Sequence, residues 1–554
     1  MNAEFWLLVY QEPPSLEVLD PSGTAGAAGD ELEAAEGGFS QVETTCREEC
    51  SVHVKAVIKP NTYSDSMSLM ALSTKVNQLP EVHQAMIGMG TGLNKQVIAE
   101  VGLSTPEVEA ATPRDQIIVV QCDTEEICDE VLAKVEELRA EGMAKPAGAT
   151  SYRTSRQAYE NATDTSLAII SVPGEYAADE ARAALDAGRH VLMFSDNVSV
   201  EDEISLKQQG HDAGLLVMGP DCGTAIINGV GLCFANVVAD GPVGIVGASG
   251  TGSQELSVQI DALGSGVSQL IGTGGRDLSE AVGGIMMLDG LRMLAEDPAT
   301  TVIALLSKPP AASVAERVLS AAGEVGKPVV VCFIGADTPA NLPENVTFVA
   351  NTLDAARAAV ELATGSAPAQ PAPVELPNLT FAEGQTDIRG LFCGGTVCDE
   401  VFQAIALAQP ERTRSNVAKR AEQQIERETK GNLLIDFGAD EYTQGRPHPM
   451  IDPTLRSAEI VRHAADPATA VLLIDVELGY GSNPDPAGAA APAIAEAFAA
   501  ARAEGRELAI IAYVLGTDRD PQDKAAQTAT LTQLGVTVVD SAIGLADAAL
   551  RTIG

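Results

Sequence analysis

The stretch that decides the fold is GPVGIVGASGTGSQELSVQI, from Gly241 to Ile260. Its apolar run from Val243 to Val246 predicts a buried strand, and the small residues from Gly247 to Gly252 predict a tight loop. A helical pattern begins near Ser253. Such a loop directs free backbone N–H groups and the positive end of the helix toward an anion. The stretch therefore predicts a phosphate-binding turn, although the same glycines would also allow close packing of the helix on the strand.

Strand and helix patterns alternate on both sides of this turn, as expected for several α/β domains. The chain is predicted to begin with an acidic extension at 1–50, interpreted as disorder or as a start codon placed too far upstream. A small α/β domain of ferredoxin-like or ACT-like type follows at 51–145, and a Rossmann-like domain at 150–239. Two doubly wound domains, at 240–364 and 385–554, are joined by a Pro/Ala linker at 365–384.

The composition narrows the class of protein. The 554 residues carry a formal net charge of -42, which would repel nucleic acid and anionic membranes, so neither is expected as a partner. The nine cysteines are scattered, which predicts reduced thiols and a cytoplasmic protein rather than a disulfide framework. No run of 18 apolar residues predicts a membrane span, and the first residues lack the basic region of a signal peptide.

The opening stretch carries the first candidate site. Its turn is not a nucleotide-binding P-loop, because no lysine follows the last glycine. The candidate phosphate-binding residues are Ser249, Gly250, Thr251 and Gly252. Glu255 is placed by the pattern in the first helical turn and is a candidate catalytic carboxylate.

Two further turns follow buried strands of the same region. Arg276, at the predicted start of a helix, either binds a phosphate or carboxylate or forms a surface ion pair with Asp277. Asp221 and Cys222 lie at a strand end, where open α/β sheets bind ligands. They are candidate substrate-binding residues, and Cys222 is expected to be a small buried residue rather than a nucleophile.

The last domain repeats the strand–glycine–helix pattern at Gly394, Gly395 and Thr396, a second candidate phosphate site. The spacing of Cys393 and Cys398 does not match a zinc motif, and no metal site is predicted. A long polar loop carries Arg446, His448 and Arg456. The arginines are candidate anion clamps, and Arg446 is also a candidate catalytic residue. His448 is either an acid or base or simply a turn histidine between two prolines.

Several segments resemble a known family. ISVPGEYAADEARAALDAG, MGPDCGTAIING, PVGIVGASGTGSQE, IGTGGRD and KPVVVCFIGA look like the α-subunit of succinyl-CoA synthetase, and GNLLIDFGADEY and DPATAVLLIDVELGYG look like the ligase domain of its β-subunit. NTYSDSMSLM, MGTGLNK and GRPHPMIDPTLR look more closely like FdrA, an acyl-CoA-synthetase-like family. The resemblance, from about residue 52 to the end, implies a Rossmann-like domain of CoA-binding type followed by two flavodoxin-like ligase domains.

In the synthetases, the turn matching Gly247–Gly252 grips the phosphate of a phosphohistidine, the glutamate matching Glu255 contacts that histidine, and the turn matching Gly394–Thr396 resembles a second phosphate-gripping helix end. Three departures stand out. The segment DTPANLPENVTFVANTLDAA has no histidine, no ATP-grasp domain is present, and the first βα unit for CoA has no clear counterpart.

The resemblance to FdrA implies a component of an oxamate carbamoyltransferase that acts with partner subunits in a hetero-oligomer. Its substrates would be carbamoyl phosphate and the carboxylate oxamate, the latter held by Arg276, Arg446 or Arg456. One alternative is an NDP-forming acyl-CoA ligase subunit that binds CoA and uses a partner's nucleotide site. Another is a non-catalytic scaffold that senses phosphate or nucleotide.

Overall fold

The computed structural model describes residues 52–60, 62, 66–77, 79–142, 152, 154–369, 374–426, 430–443 and 447–554. The predicted acidic extension at 1–50 and Arg446 lie outside these residues. The chain divides into two compact units, with the boundary near residue 150. In the part of the chain that the structure describes, no helix has the length and apolarity of a membrane span.

The first unit contains a small α/β domain. Its three strands form an antiparallel sheet in the order β1-β3-β2, with α1 and α4 packed on it. The elements are β1 (His53–Lys59), α1 (Ser66–Asn77), β2 (Gln84–Met89), α2 (Gly92–Glu100), α3 (Pro106–Ala110), β3 (Gln116–Cys122) and α4 (Glu125–Gly142). The central strand β3 is nearly all buried because helices and loops cover both of its faces.

The second unit begins with the Rossmann-like part. A parallel sheet in the order β4-β5-β6 is flanked by helices. The elements are α5 (Ser155–Asn161), β4 (Leu167–Ile170), α6 (Gly174–Asp186), β5 (His190–Met193), α7 (Val200–Ala213) and β6 (Val217–Met218). The element immediately before β4 is the helix α5, not a strand.

A seven-stranded sheet follows, in the order β13-β12-β11-β9-β10-β7-β8. Its elements are β7 (Thr224–Ile227), β8 (Val230–Cys233), β9 (Asp240–Gly247), α8 (Gly250–Ala262), β10 (Val267–Gly272), α9 (Ile285–Glu296), β11 (Val302–Ser307), α10 (Ala312–Glu324), β12 (Val329–Phe333), β13 (Val346–Val349) and α11 (Thr352–Thr364). The apolar run of the opening stretch is the central strand β9, buried between parallel neighbours. The hairpin β7–β8, predicted to belong to the Rossmann-like domain, pairs with β10 in this sheet.

The last sheet is fully parallel, in the order β15-β16-β14-β17-β18-β19. Its elements are β14 (Asp387–Phe392), α12 (Gly395–Ala408), β15 (Thr413–Ser415), β16 (Asn432–Asp436), α13 (Asp440–Thr443), α14 (Thr454–Ala464), β17 (Thr469–Glu477), α15 (Pro486–Ala503), β18 (Ala509–Leu515), α16 (Lys524–Gln533), β19 (Thr537–Val539) and α17 (Ala542–Ile553). Leu376, Leu379 and Phe381 of the predicted linker pack against the core of this domain.

The predicted α/β fold class is confirmed, while several helix starts were wrong. Helix α8 begins at Gly250 rather than near Ser253, because the Ser249 side chain caps it. Glu255 therefore lies in the second turn, not the first. Arg276 lies in a turn, since the next helix, α9, begins at Ile285. The predicted polar loop after β16 contains the short helix α13.

Candidate functional site

The start of α8 forms one side of the candidate site. Ser249 has an extended backbone, and its Oγ accepts a hydrogen bond from the N–H of Gly252 at 3.4 Å. The other N–H groups of a first helical turn have no partner inside the helix, and they carry the positive end of its dipole. Gly247 lets the end of β9 approach the helix closely, because a Cβ there would overlap the Ser253 hydroxyl in its present rotamer.

Two buried hydroxyl groups beside this helix end lack a hydrogen-bond partner among the described residues. They are Thr224 Oγ1 and Ser253 Oγ. Thr224 Oγ1 lies 3.7 Å from the position that a Cβ on Gly250 would take. Because buried hydroxyl groups are nearly always hydrogen-bonded in proteins, these two groups favour a polar ligand at the start of α8.

The start of α12 meets the start of α8 directly. Thr396 Oγ1 shares a short hydrogen bond with Ser249 Oγ, and the N–H of Thr396 donates to Thr251 Oγ1 at 3.3 Å. Residues 249–253 and 394–397, here called the facing helix ends, therefore bring together two turns that are about 145 residues apart in sequence. Both positive helix ends reach the same place, which is favourable for an anion.

Lys308 is a further candidate site residue, one that was not predicted from the sequence. It follows β11, and its Nζ lies 3.6 Å from where a Cβ on Gly395 would be. No ion pair within 4.0 Å engages Lys308 among the residues that the structure describes. Lys308 comes directly after the buried strand β11, which lies beside the strand that ends in the first turn. That position could have indicated it from the sequence.

Carboxylates surround this lysine. Burial raises the pKa of Asp436 to about 6 and raises that of Asp399, while the positive charge of Lys308 acts in the opposite direction on both. Asp436 Oδ2 lies 2.5 Å from the Cβ position of Gly395. The site therefore combines an anion-attracting centre with two carboxyl groups whose pKa values are raised by burial.

Asp221 lies close enough to Lys308 for their charges to interact. Its surface is accessible to solvent, yet the surrounding protein raises its pKa to about 6 by desolvation, followed by the charges of Asp196 and Asp440. Lys308 and Arg276 oppose this increase, so the charges of all three residues are close enough to interact. Asp221 also has a left-handed backbone, with φ of 55°. A carboxyl group with this pKa can accept a proton near neutral pH.

The neighbours of Asp221 behave differently from one another. Cys222 is buried, and burial raises the pKa of its thiol to about 12, in agreement with the expectation of a packed residue. The predicted alternative of an Arg276–Asp277 ion pair is wrong. Arg276 pairs with Glu203 at 2.9 Å, whereas Asp277 is bound by the buried Lys207 at 2.8 Å. The Arg276 side chain remains 45% exposed.

Glu255 is held by structural partners. Its carboxylate accepts hydrogen bonds from the Tyr513 hydroxyl and, at 3.2 Å, from the N–H of Ala542, the first residue of α17. Burial raises its pKa to about 7. Glu255 thus caps a helix of the last domain and lies beneath the facing helix ends.

Glu400 is the counterpart of Glu255 on α12, and the sequence analysis missed it. It accepts hydrogen bonds from the N–H and hydroxyl of Thr352, the first residue of α11, at 2.7 and 2.8 Å. Both glutamates end a Gly-Thr-x-x-x-Glu pattern, at Gly250–Glu255 and Gly395–Glu400. This repeat could have indicated Glu400 from the sequence. Each glutamate caps a helix of the other doubly wound domain, an arrangement called here the reciprocal caps.

His448 and Arg456 lie deeper in the last domain. Burial lowers the pKa of His448 to about 4, and its Nδ1 accepts from the N–H of Met450 at 3.3 Å. The ring is therefore neutral, with its proton on Nε2. Arg456 is buried, and its Nη1 donates to Asp475 at 2.6 Å and to Cys393 Sγ at 3.3 Å. It is thus occupied by protein partners.

Three sequence families match parts of the chain. They are described as "AllF, heavy metal-associated domain" at residues 52–156, "CoA binding domain" at 238–335 and "CoA-ligase" at 391–552. The second match covers β9 to β12, in the segment for which the sequence predicts the first doubly wound domain.

The chain is also similar to individual proteins. The chain is 48% identical over 502 residues to the uncharacterized protein YahF of Escherichia coli K12, covering 88% of this chain and 96% of that protein. It is 29% identical over 165 residues to the succinate–CoA ligase subunit alpha 2 of Archaeoglobus fulgidus, covering 56% of that subunit. Among solved structures, the dinucleotide-forming acetyl-coenzyme A synthetase 1 of Ca. Korarchaeum cryptofilum covers 70% of this chain, with 16% identity and a TM-score of 0.29.

The fold and these sequence matches define an acyl-CoA synthetase-like protein related to the α-subunit of succinyl-CoA synthetase. More specifically, the chain belongs to the FdrA family, together with YahF.

Proposed function

We propose that this protein is the phosphate-handling subunit of an oxamate carbamoyltransferase-type enzyme. The observation that carries the proposal is the pair of facing helix ends beside Lys308, in a chain without the phosphohistidine that such ends serve in the synthetases. A phosphate site that has no carrier histidine suits a substrate that arrives already phosphorylated. Carbamoyl phosphate is such a substrate.

In the proposed reaction, the amide nitrogen of oxamate attacks the carbamoyl carbon. A C–N bond forms, the C–O bond to phosphate breaks, and the nitrogen loses a proton, giving oxalurate and phosphate. The facing helix ends and Lys308 would stabilise the leaving phosphate as its charge develops. Asp221 is the proposed proton acceptor, and the partly exposed Arg276 is the proposed partner of the oxamate carboxylate.

CoA has no part in this proposal. Directly before β4 the described residues form the helix α5 rather than a strand and glycine turn, and the turn after β4 packs closely against the segment that follows β5. A Cβ on Gly174 in that turn would overlap the carbonyl oxygen of Asp196 and lie 2.5 Å from that of Asn197. Gly174 therefore allows the start of α6 to approach this segment closely.

Calorimetry of the purified chain with phosphate, carbamoyl phosphate, CoA and ATP tests the proposal. We expect phosphate and carbamoyl phosphate to compete for one site. Gly252→Asp should abolish that binding by placing a carboxylate at the helix end. Gly252→Ala is the matched control, because its methyl group meets Thr396 Cγ2 at 2.9 Å without adding charge. Binding of CoA at micromolar concentration without carbamoyl phosphate binding would overturn the proposal.

A CoA-ligase subunit that uses a partner's nucleotide site is the second candidate, favoured by the match of the CoA binding domain to residues 238–335. Oxalurate formation should be assayed with and without the products of neighbouring genes. Oxalurate that appears only with this chain and its partners supports carbamoyl transfer. CoA-dependent acyl transfer in the same mixture supports the ligase.

A further inference from the structure

A second cluster of reactive side chains lies in the last domain, below the start of α12. Cys393 follows β14, and Asp475 and Glu477 lie on β17, the parallel neighbour of β14. The sulfur and one carboxylate oxygen from each acid lie within 4.8 Å of one another, and all three residues are buried. The cluster lies at the carboxyl ends of adjacent parallel strands, the edge where open α/β sheets bind ligands.

Glu477 provides independent evidence for a ligand. It is only 2% exposed, neither carboxylate oxygen accepts a hydrogen bond from an N–H or hydroxyl group of the described residues, and the carboxyl group of Asp475 lies beside it. The group points at the start of α12, where a Cβ on Gly394 would overlap Oε1. A buried carboxylate without a partner is costly, so proteins place such groups beside cations or neutralise them.

The bonds around Asp475 position the cluster. The N–H groups of Cys393 and Gly394 donate to its carboxylate at 2.9 and 2.8 Å, and Arg456 donates at 2.6 Å. The Cys393 thiol lies 3.2 Å from Asp475 Oδ1. Sulfur and oxygen ligands on one tetrahedral zinc ion, at about 2.3 and 2.0 Å from the metal, would be about 3.5 Å apart. The two atoms are thus spaced almost as two ligands of a single ion.

We propose that Cys393, Asp475 and Glu477 bind one divalent metal ion of the Zn²⁺ class. A thiolate together with carboxylates suits a borderline-soft ion, and three protein ligands leave a coordination position for water or substrate. The charges also balance, because the ion and the Arg456 guanidinium carry +3 against three anionic ligands. Binding displaces the thiol proton and any carboxyl proton into solvent.

This proposal does not depend on carbamoyl transfer. It also differs from the expectation based on sequence, which considered only the pair Cys393 and Cys398. The Cys398 sulfur lies 3.9 Å from the Ser415 hydroxyl inside the domain. The two acids proposed to bind the metal together with Cys393 come instead from a strand more than 80 residues later.

Titration with Co²⁺ tests the site through its thiolate-to-cobalt charge-transfer absorption. The full chain should carry Cys46→Ser and Cys50→Ser, which remove two thiols that are four residues apart in sequence and could compete for the metal. We expect one Co²⁺ per chain with this absorption, displaced by Zn²⁺. Cys393→Ser should abolish the absorption, and Glu477→Gln should weaken metal affinity more than about tenfold, since even indirect partners of a metal contribute that much. Cys398→Ser, a change at another buried thiol of α12, should leave both unchanged.

Equal absorption and affinity in the parent, Cys393→Ser and Glu477→Gln chains would overturn the proposal. Circular dichroism checks that each variant is folded. If Cys393→Ser does not fold, Glu477→Gln decides, because glutamine keeps the shape of the side chain. Zn²⁺ should then raise the Tm of the parent chain more than that of Glu477→Gln, and an equal increase would refute the site.

Discussion

At the residue scale, Lys308 is the side chain that gives the facing helix ends a full positive charge. Helix ends supply only partial charges, and Asp436 and Asp399 lie close by. Without the lysine, an anion at Gly395 would face these carboxyl groups with only the partial charges of the helix ends to offset them. Lys308 therefore makes the local potential more favourable for an anion.

Replacing Lys308 by methionine should weaken phosphate binding about 10- to 100-fold, because a hydrogen bond to a charged group contributes about 1.5–3 kcal/mol. Isothermal calorimetry measures this loss, and Lys308→Arg should restore part of the affinity. Lys134→Met is the matched control, since that lysine is exposed on α4 and the change in net charge is the same. Equal affinity in Lys308→Met and the control would remove Lys308 from the site.

At the element scale, the reciprocal caps explain how two helices from different domains are held end to end. Glu255 on α8 caps α17, and Glu400 on α12 caps α11. A buried cap that loses its acceptor leaves the donors of another helix unpaired, which costs about 1–3 kcal/mol. Both glutamates therefore have a structural role, whatever they contribute to chemistry.

The caps should make stability depend on pH. Burial raises the pKa of Glu400 from 4.5 to about 8, with the charge of Glu255 adding to the effect. The folded chain therefore keeps a proton that the unfolded chain releases, so stability should decrease as the pH rises from about 4.5 to about 8. Glu400→Gln keeps an acceptor for Thr352 and should reduce this decrease, as measured by the free energy of urea unfolding at several pH values.

The control for that experiment is Glu361→Gln, an exposed glutamate on α11. It should follow the pH profile of the parent chain. If the stability of Glu400→Gln depends on pH in the same way as that of the parent and Glu361→Gln, Glu400 does not titrate in this range. The proposed contribution of its proton to stability would then be refuted.

At the scale of the whole molecule, the two doubly wound domains are joined by more than the linker. Asp520, in the last domain, accepts hydrogen bonds from the N–H of Val237 at 2.7 Å and from the Asn236 amide at 2.8 Å. Thr517 Oγ1 donates to the carbonyl of Val237 at 2.7 Å. With the reciprocal caps, these bonds favour one cooperative unit over residues 151–554, consistent with its compactness.

Asp520→Ala should test this cooperation. The change leaves buried donors on Asn236 and Val237 without an acceptor, and we expect a loss of about 2–5 kcal/mol. Scanning calorimetry should show one transition for residues 151–554 that moves to lower temperature as a whole. Asp518→Ala, a change at a nearby exposed aspartate, is the control. Two separate transitions in the parent chain, of which Asp520→Ala shifts only one, would contradict a single cooperative unit.

Much of the fold was readable from local pattern. Apolar runs such as Val243–Val246 and Val302–Leu306 became central parallel strands, since strands covered on both faces need continuous apolar sequence. The helix starts were less certain. A run of glycines looks like a loop, but the cap at Ser249 allows the helix to begin inside it.

The candidate site was only partly predictable. Both glycine turns were identified, but Lys308, Glu400 and Thr224 were not, because each looks unremarkable beside its neighbours in sequence. These residues became candidates only because of the residues that the fold places beside them. For Arg456 the sequence suggested a role that the structure does not support. Its charge suggested a substrate clamp, whereas tertiary packing pairs it with Asp475.

The sequence alone determined the α/β class and the two strand–glycine–helix turns, because these depend on residue periodicity and on short motifs. That a carrier histidine is missing follows from the resemblance to the synthetases. Only the tertiary structure decided that the two turns face each other, that Lys308 lies between carboxyl groups beside them, and that Cys393 belongs with Asp475 and Glu477. The physical reason is strand order. Parallel sheets place the ends of distant strands side by side, and no local pattern specifies which ends become neighbours.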